Sequence, residues 1–221
     1  MAVSAKICGI STLDSALVAT DHGAKFLGFI SFEKSPRHLS LSAAKKLGDQ
    51  LKTLPLPDAG GPARVGVFVN ADIDHIRDFA HALSLSHIQL HGSEGPDFAA
   101  QIKNELRLKV IKALAVSDKT DLAKIQPFVD TVDMFLFDAK PPKGSDLPGG
   151  NAVSLPWPLL QHIKTHRPWF VAGGIDEGNL NTAIRESGAN YVDISSSVEC
   201  APGVKDTDKI TRFLRACHLV P

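Results

Sequence analysis

The stretch VGVFVNADIDHIRDFAHALSLSHIQL, residues 65–90, contains one full repeat of the architecture of this chain. Val65-Gly66-Val67-Phe68-Val69 is a nearly continuous apolar run of strand length, the pattern of a parallel strand buried on both faces. Asp72 stands where a helix N-cap is expected, and Ile73, Ile76, Phe79, Ala80 and Leu83 then recur at helical spacing. His87-Ile88-Gln89-Leu90 begins a second strand. A helix placed between two apolar runs carries the chain back across the sheet, so the two strands run parallel.

The same unit repeats in both directions. Toward the N-terminus lie Ser4-Ala5-Lys6-Ile7-Cys8 and Phe26-Leu27-Gly28-Phe29-Ile30. Toward the C-terminus lie Lys109-Val110-Ile111-Lys112-Ala113, Met134-Phe135-Leu136-Phe137, Trp169-Phe170-Val171-Ala172 and Tyr191-Val192-Asp193-Ile194. Helical patterns separate them. Thr12 opens one over Leu13, Ala16 and Leu17, and Gly23 is placed to close it. Ser40 opens another over Leu41, Ala44 and Leu47. Further apolar stripes run through Phe98, Ile102 and Leu106, then Leu122 and Ile125 before Pro127, then Leu159, Leu160 and Ile163 after Pro158. The last two are Leu180, Ala183 and Ile184, ending at Gly188, and Ile210, Phe213 and Leu214. Eight strand–helix pairs in strict alternation predict an α/β fold, a closed (β/α)8 TIM barrel occupying residues 1–221 as one domain. An open doubly wound sheet is the competing arrangement, and the unbroken order of the repeats favours closure.

Bulk composition agrees with a globular enzyme-sized core. The chain has 221 residues, 43% hydrophobic and 22% charged, which argues against disorder. Lys and Arg total 24 and Asp and Glu total 24, a formal net charge of zero. No bulk field is present to gather nucleic acid or an anionic membrane, which still leaves room for a local patch that holds one small anion. Cys8, Cys200 and Cys217 are an odd, sparse set, unlike a disulfide framework. No CxxC or HExxH spacing appears, so a zinc site has little support. No apolar stretch approaches the roughly 18 residues that span a bilayer, and no signal peptide is evident. The expected compartment is the reducing cytoplasm, where Cys8 stays a free thiol.

In such barrels the loops after the strands carry the chemistry. Strand one ends at Cys8-Gly9, strand two leads to Ser35-Pro36-Arg37, and strand three ends at Asn70. Strand four runs into His91-Gly92, strand six ends at Asp138, and strands seven and eight lead into Gly173-Gly174 and Ser195-Ser196-Ser197. The long Ala139–Pro156 loop follows a strand and is a candidate lid. The Pro55–Pro62 loop precedes one and reads as a connector on the opposite face.

Each candidate has two readings. Cys8 is either a core thiol or, from its strand-end position before Gly9, an active-site group that needs activation. Asp138 is a loop cap or, beside the apolar Met134–Phe137 run, a proton donor whose protonated form burial favours. Arg37 is a loop ion pair or a clamp for a carboxylate or phosphate. His91 either hydrogen-bonds its own loop or reaches a substrate. Gly173, Gly174, Ser195, Ser196 and Ser197 form a tight turn and a Ser-rich cap, or a phosphate site after strands seven and eight, where barrels often bind phosphate.

The segments Lys6-Ile7-Cys8-Gly9, Ser35-Pro36-Arg37, Gln89-Leu90-His91-Gly92, Phe137-Asp138, Pro148-Gly149-Gly150 and Ala172-Gly173-Gly174 occur in an order that resembles the phosphoribosylanthranilate isomerase family. Val192-Asp193-Ile194-Ser195-Ser196, Val198-Glu199 and Pro202-Gly203-Val204-Lys205-Asp206 extend the resemblance, which runs from residue 6 to about residue 215. It implies an Amadori rearrangement without cofactor or metal. By that resemblance Asp138 is the general acid, Cys8 the general base and Arg37 the clamp on a carboxylate, with Gly173, Gly174, Ser195 and Ser196 holding phosphate. Three positions depart from the family pattern: Ser197, where Gly is usual, Ala152, where Gly is common, and Ser31, where an apolar or aromatic residue is common. The histidine-pathway aminoaldose isomerases, which use two aspartates, and a catalytically silent sugar-phosphate or protein-binding barrel are the rival readings. Retention of both Cys8 and Asp138 argues against each.

Overall fold

The computed structural model describes residues 3–140 and 155–220. Eight parallel strands close into a barrel in sequence order: β1 Ser4–Cys8, β2 Phe26–Ser31, β3 Ala63–Phe68, β4 His87–Leu90, β5 Lys109–Val116, β6 Met134–Ala139, β7 Trp169–Val171 and β8 Tyr191–Ile194. Closure is made by β8 on β1, with Lys6 opposite Asp193. The helices are α1 Leu13–Asp21, α2 Leu41–Gln50, α3 Ile73–Leu83, α4 Pro96–Leu106, α5 Leu180–Ser187 and α6 Thr207–Leu219. The expected caps are in place: Thr12, Ser40 and Asp72 each accept a backbone N–H from three residues on.

Strand alternation divides the apolar residues into two cores. Residues such as Ile7, Leu27, Phe29, Ile88, Phe135, Val171 and Val192 face outward and pack beneath the helices. Phe26, Ala63, Val65, Ile111, Ala113, Met134, Leu136, Phe170 and Ala172 face inward and fill the barrel. The inward floor is aromatic. Phe26 meets His87, Phe170 and Tyr191 edge to face, at ring separations of 5.6, 5.0 and 6.3 Å.

Two of the eight expected helices are 3-10 segments instead, over Lys119–Phe128 and Trp157–His162. The first contains Pro127, and the second follows Pro156 and contains Pro158. Pro127 removes a donor and its ring crowds the preceding turn, which disfavours a regular α-helix there; Pro156 and Pro158 stand at the start of the second segment, where proline is tolerated, and do not explain its 3-10 form. The Pro55–Pro62 connector holds a further 3-10 turn, Pro57–Ala59, on the side of the barrel where strands begin. A small antiparallel hairpin, β9 Glu199–Ala201 and β10 Val204–Lys205, was not legible as a strand pair in the sequence. Most of the candidate lid lies outside the described residues, as do Pro148-Gly149-Gly150 and Ala152. Among the described residues no helix is long and apolar enough to cross a membrane.

Candidate active site

Along β1 the outward residues are Ala5 and Ile7, so Lys6 and Cys8 both point into the barrel. Cys8 is buried at the C-terminal end of the strand. Its partner across the ladder is Gly28 of β2. A Cβ at that position would stand 2.8 Å from Cys8 Sγ, so the missing side chain makes room for the thiol. The turn that follows is anchored by the N–H groups of Gly9 and Ile10, which both donate to the Gly28 carbonyl at 2.9 Å. Burial pushes the Cys8 thiol above its ordinary range, opposed by Lys6 and Lys205 and reinforced by Asp193.

Asp138 lies on β6 with the same inward parity as Met134 and Leu136. Its Oδ1 accepts the Ala139 N–H at 2.8 Å, and its Oδ2 lies 3.7 Å from His91 Nε2. The loop after β7 closes against this carboxylate: a Cβ on Gly173 would come within 3.0 Å of Asp138 Oδ1 and of Ala139 N. Gly173 also has φ +86°, a conformation that L side chains rarely adopt. His91 is tied to β4, with Nδ1 2.8 Å from the Gln89 amide nitrogen, which leaves Nε2 as the edge that faces Asp138.

Arg37 is buried, and its guanidinium forks onto Glu199: Nε donates to Oε1 at 2.7 Å and Nη2 to Oε2 at 2.9 Å. Glu199 also accepts Lys205 Nζ at 2.8 Å and the Gly203 N–H at 3.2 Å. Burial pushes the Glu199 carboxyl up, but the two cations outweigh it and hold it below the usual carboxylate range. These bonds engage the Nε and Nη2 edge of Arg37. Its side chain runs across Gly9, where a Cβ would lie 2.8 Å from Arg37 Cδ.

Lys205 links this pair to Cys8 through Ser195. It donates to the carbonyl and hydroxyl oxygens of Ser195 at 2.9 and 3.2 Å, and Ser195 Oγ donates to the Cys8 carbonyl at 3.0 Å. Ser196 and Ser197 begin a 3-10 turn, Ser196–Val198. The Ser197 hydroxyl is buried without a hydrogen-bond partner among the described residues. Across from it the Gly174 carbonyl accepts from Asn179 Nδ2 at 2.8 Å, which secures the β7 turn. All nine residues singled out from the sequence therefore stand on turns or strand ends at one mouth of the barrel.

The sequence reading missed four charged residues at this mouth: Lys6, Asp193, Glu199 and Lys205. Lys6 carried a usable signal, because a lysine two residues before Cys8 in an apolar strand must share its inward face. Among the described residues, no group of three His, Cys, Asp or Glu side chains is placed to hold a metal ion.

Comparison with known proteins agrees with this arrangement. The family model described as N-(5′-phosphoribosyl)anthranilate isomerase matches residues 5–216. The N-(5′-phosphoribosyl)anthranilate isomerase of Paramagnetospirillum magneticum is 43% identical over 99% of this chain and 98% of its own length. The crystal structure of phosphoribosyl anthranilate isomerase from Thermotoga maritima superposes with a TM-score of 0.83 at 33% identity, covering 97% of this chain and 98% of that one. A phosphoribosyl anthranilate isomerase in complex with reduced 1-(o-carboxyphenylamino)-1-deoxyribulose 5-phosphate gives a TM-score of 0.77 at 32% identity, again over 97% and 98%. With the match spanning nearly the whole barrel, this chain belongs to the N-(5′-phosphoribosyl)anthranilate isomerase family.

Proposed function

We propose that this chain works as a single barrel domain and converts N-(5′-phosphoribosyl)anthranilate to 1-(2-carboxyphenylamino)-1-deoxyribulose 5-phosphate, an aldose–ketose isomerisation in tryptophan biosynthesis. The observation that carries the reading is the placement of Cys8 and Asp138 at one mouth, on strands three places apart around the ring. A substrate lying across that mouth has a thiol on one side and a carboxyl on the other.

In the first step the Asp138 carboxyl gives its proton to the furanose ring oxygen. The C1′–O4′ bond breaks and the anthranilate nitrogen lone pair forms the C1′=N bond of a Schiff base. In the second, the Cys8 thiolate takes the proton from C2′. The C–H electron pair becomes the C1′=C2′ bond, and the C=N pair returns to nitrogen, giving an enolamine. Tautomerisation places the carbonyl at C2′. The Nη1 edge of Arg37 is offered to the anthranilate carboxylate while Glu199 fixes the other edge, which restricts the guanidinium to one plane. Gly173, Gly174, Ser195, Ser196 and Ser197 frame the phosphate, and His91 borders the acid. The small-molecule substrate carries its own phosphate and carboxylate, and the steps written here use only side chains of this chain. A reducing cytoplasm keeps Cys8 available as a thiol.

The direct test is a fluorescence assay of purified protein with freshly prepared phosphoribosylanthranilate, whose anthranilate-type emission changes on conversion. Turnover that disappears on alkylation of Cys8, and is protected by a product analogue, is expected. A fully folded protein that leaves the emission unchanged would reject the assignment.

A further inference from the structure

One lysine is completely enclosed inside the barrel, and no step above uses it. Lys6 is 0% exposed, and its Nζ donates to Asp193 Oδ1 at 2.9 Å. It occupies the inward position of β1 immediately before Cys8. A Cβ on Gly28 would stand 2.8 Å from Cys8 Sγ and 3.2 Å from Lys6 Cε, so the sulfur and the end of the lysine chain flank one notch. We propose that Lys6 is a positioning residue for the general base, its ammonium held by Asp193 so that the Cys8 thiolate forms beside a fixed cation. The proposal rests on Cys8 being the base.

Enclosing an ammonium and a carboxylate carries a large desolvation cost, and apolar residues in place of both partners are often at least as stable. A structural need alone therefore does not account for a lysine here. The reaction does account for it. A buried thiol is hard to ionise, and the adjacent cation opposes that penalty. When the thiolate takes the C2′ proton, Cys8 becomes neutral and Asp193 remains as the counter-charge of Lys6. The pair thus tolerates both states of the base.

The charged groups around the thiol come from several elements. Lys6 faces it from β1, Asp193 from β8 and Lys205 from β10. Asp193 in turn feels Asp138 of β6 and His91 after β4, and Lys205 feels Glu199 and Arg37. Burial pulls the Lys6 ammonium down, but Asp193 and Cys8 together outweigh it and keep it protonated beyond its ordinary range. Burial pushes Asp193 up, Lys6 pulls it down and Asp138 adds to the rise, with the net displacement upward.

The test follows the rate of Cys8 carbamidomethylation against pH, read by peptide-resolved mass spectrometry so that the exposed Cys200 is counted separately. Lys6→Met is expected to move the midpoint up by about one pH unit or more, an approximately tenfold slower reaction below it. Asp193→Asn, which leaves the lysine with the thiolate as its partner, is expected to move the midpoint down. The kcat of Lys6→Met should fall and recover as pH rises, with KM nearly unchanged. Shifts of both variants in the same direction, or of neither, would overturn the proposal. If Lys6→Met does not fold, Asp193→Asn decides alone: a downward shift supports the coupling, and an unchanged or raised midpoint rejects it. Persistent turnover in Cys8→Ala would remove the base assignment instead, and the alkylation midpoints would still report on the lysine.

Discussion

The two ends of the barrel interior are built from opposite materials. The floor is an edge-to-face cluster of Phe26, His87, Phe170 and Tyr191. The mouth gathers Lys6, Cys8, His91, Asp138 and Asp193, all half-buried or buried and all ionisable. Burying aromatic rings removes large apolar areas from water and stabilises the fold. Burying ion pairs does much less for stability, because desolvation cancels most of the attraction. The floor therefore holds the barrel closed, and the mouth uses part of that stability to keep charged groups in fixed positions.

The sharpest way to break this division is Cys8→Ala. A mouth residue should cost chemistry and little else, so kcat is expected to drop about 10²–10⁴-fold. Thermal unfolding should stay close to that of the parent protein. A variant that unfolds, or that keeps parental kcat, contradicts the assignment of this end to catalysis.

The converse substitution is Phe170→Ala, in the centre of the floor. Truncation of a fully buried phenylalanine costs about 3–5 kcal/mol. Denaturant titration should show that loss, while kcat of the folded fraction stays near the parental value. Equal damage to kcat would mean that the two ends are not separable.

His87 gives the floor a pH signature. Burial among the rings pulls its pKa down to about 4, from about 6.5 in an unfolded chain. The folded state thus refuses a proton that the unfolded state accepts between those values. This part of the stability is complete above about pH 6.5 and is lost as pH falls toward about 4, up to roughly 3 kcal/mol. His87→Gln should flatten the stability–pH curve in that window. An unchanged slope would place the acid sensitivity elsewhere.

The smallest effect is expected at Ser197, whose hydroxyl is buried and unpartnered. Ser197→Gly should change KM by less than about tenfold, equivalent to about 1.4 kcal/mol. A larger rise in KM would show that the hydroxyl turns to meet the phosphate when substrate binds.

Legibility in the sequence followed the range of the interaction. The eight strands could be read because each is a local apolar run, and the caps at Thr12, Ser40 and Asp72 because they act within three residues. Cys8, Asp138 and the Gly173-Gly174 turn could be placed at the mouth from strand direction alone. What could not be read were the partners. Lys6 and Asp193 are 187 residues apart and Arg37 and Glu199 are 162 apart. The first pairing exists only because β8 closes on β1, and the second because the β9–β10 hairpin folds back toward the loop after β2. The two 3-10 connections show the opposite limit. There the apolar spacing was read correctly as helical, but it does not distinguish an α-helix from a 3-10 helix, and only in the first segment does an interior proline, Pro127, remove a donor that the α-helix needs.

Gly28 has a consequence that reaches beyond its own strand. It carries no functional group, yet one added methyl would press on both the sulfur of Cys8 and the tip of Lys6. The space for the Cys8 thiol is thus set by a vacancy that belongs to its neighbour. Transplanting the cysteine alone into another barrel would install the nucleus of the site without its clearance, so the smallest portable unit is the β1–β2 pair. In a lineage, a change at position 28 would surface as a failure of thiol chemistry, and inspection of the reacting side chains would not reveal its origin.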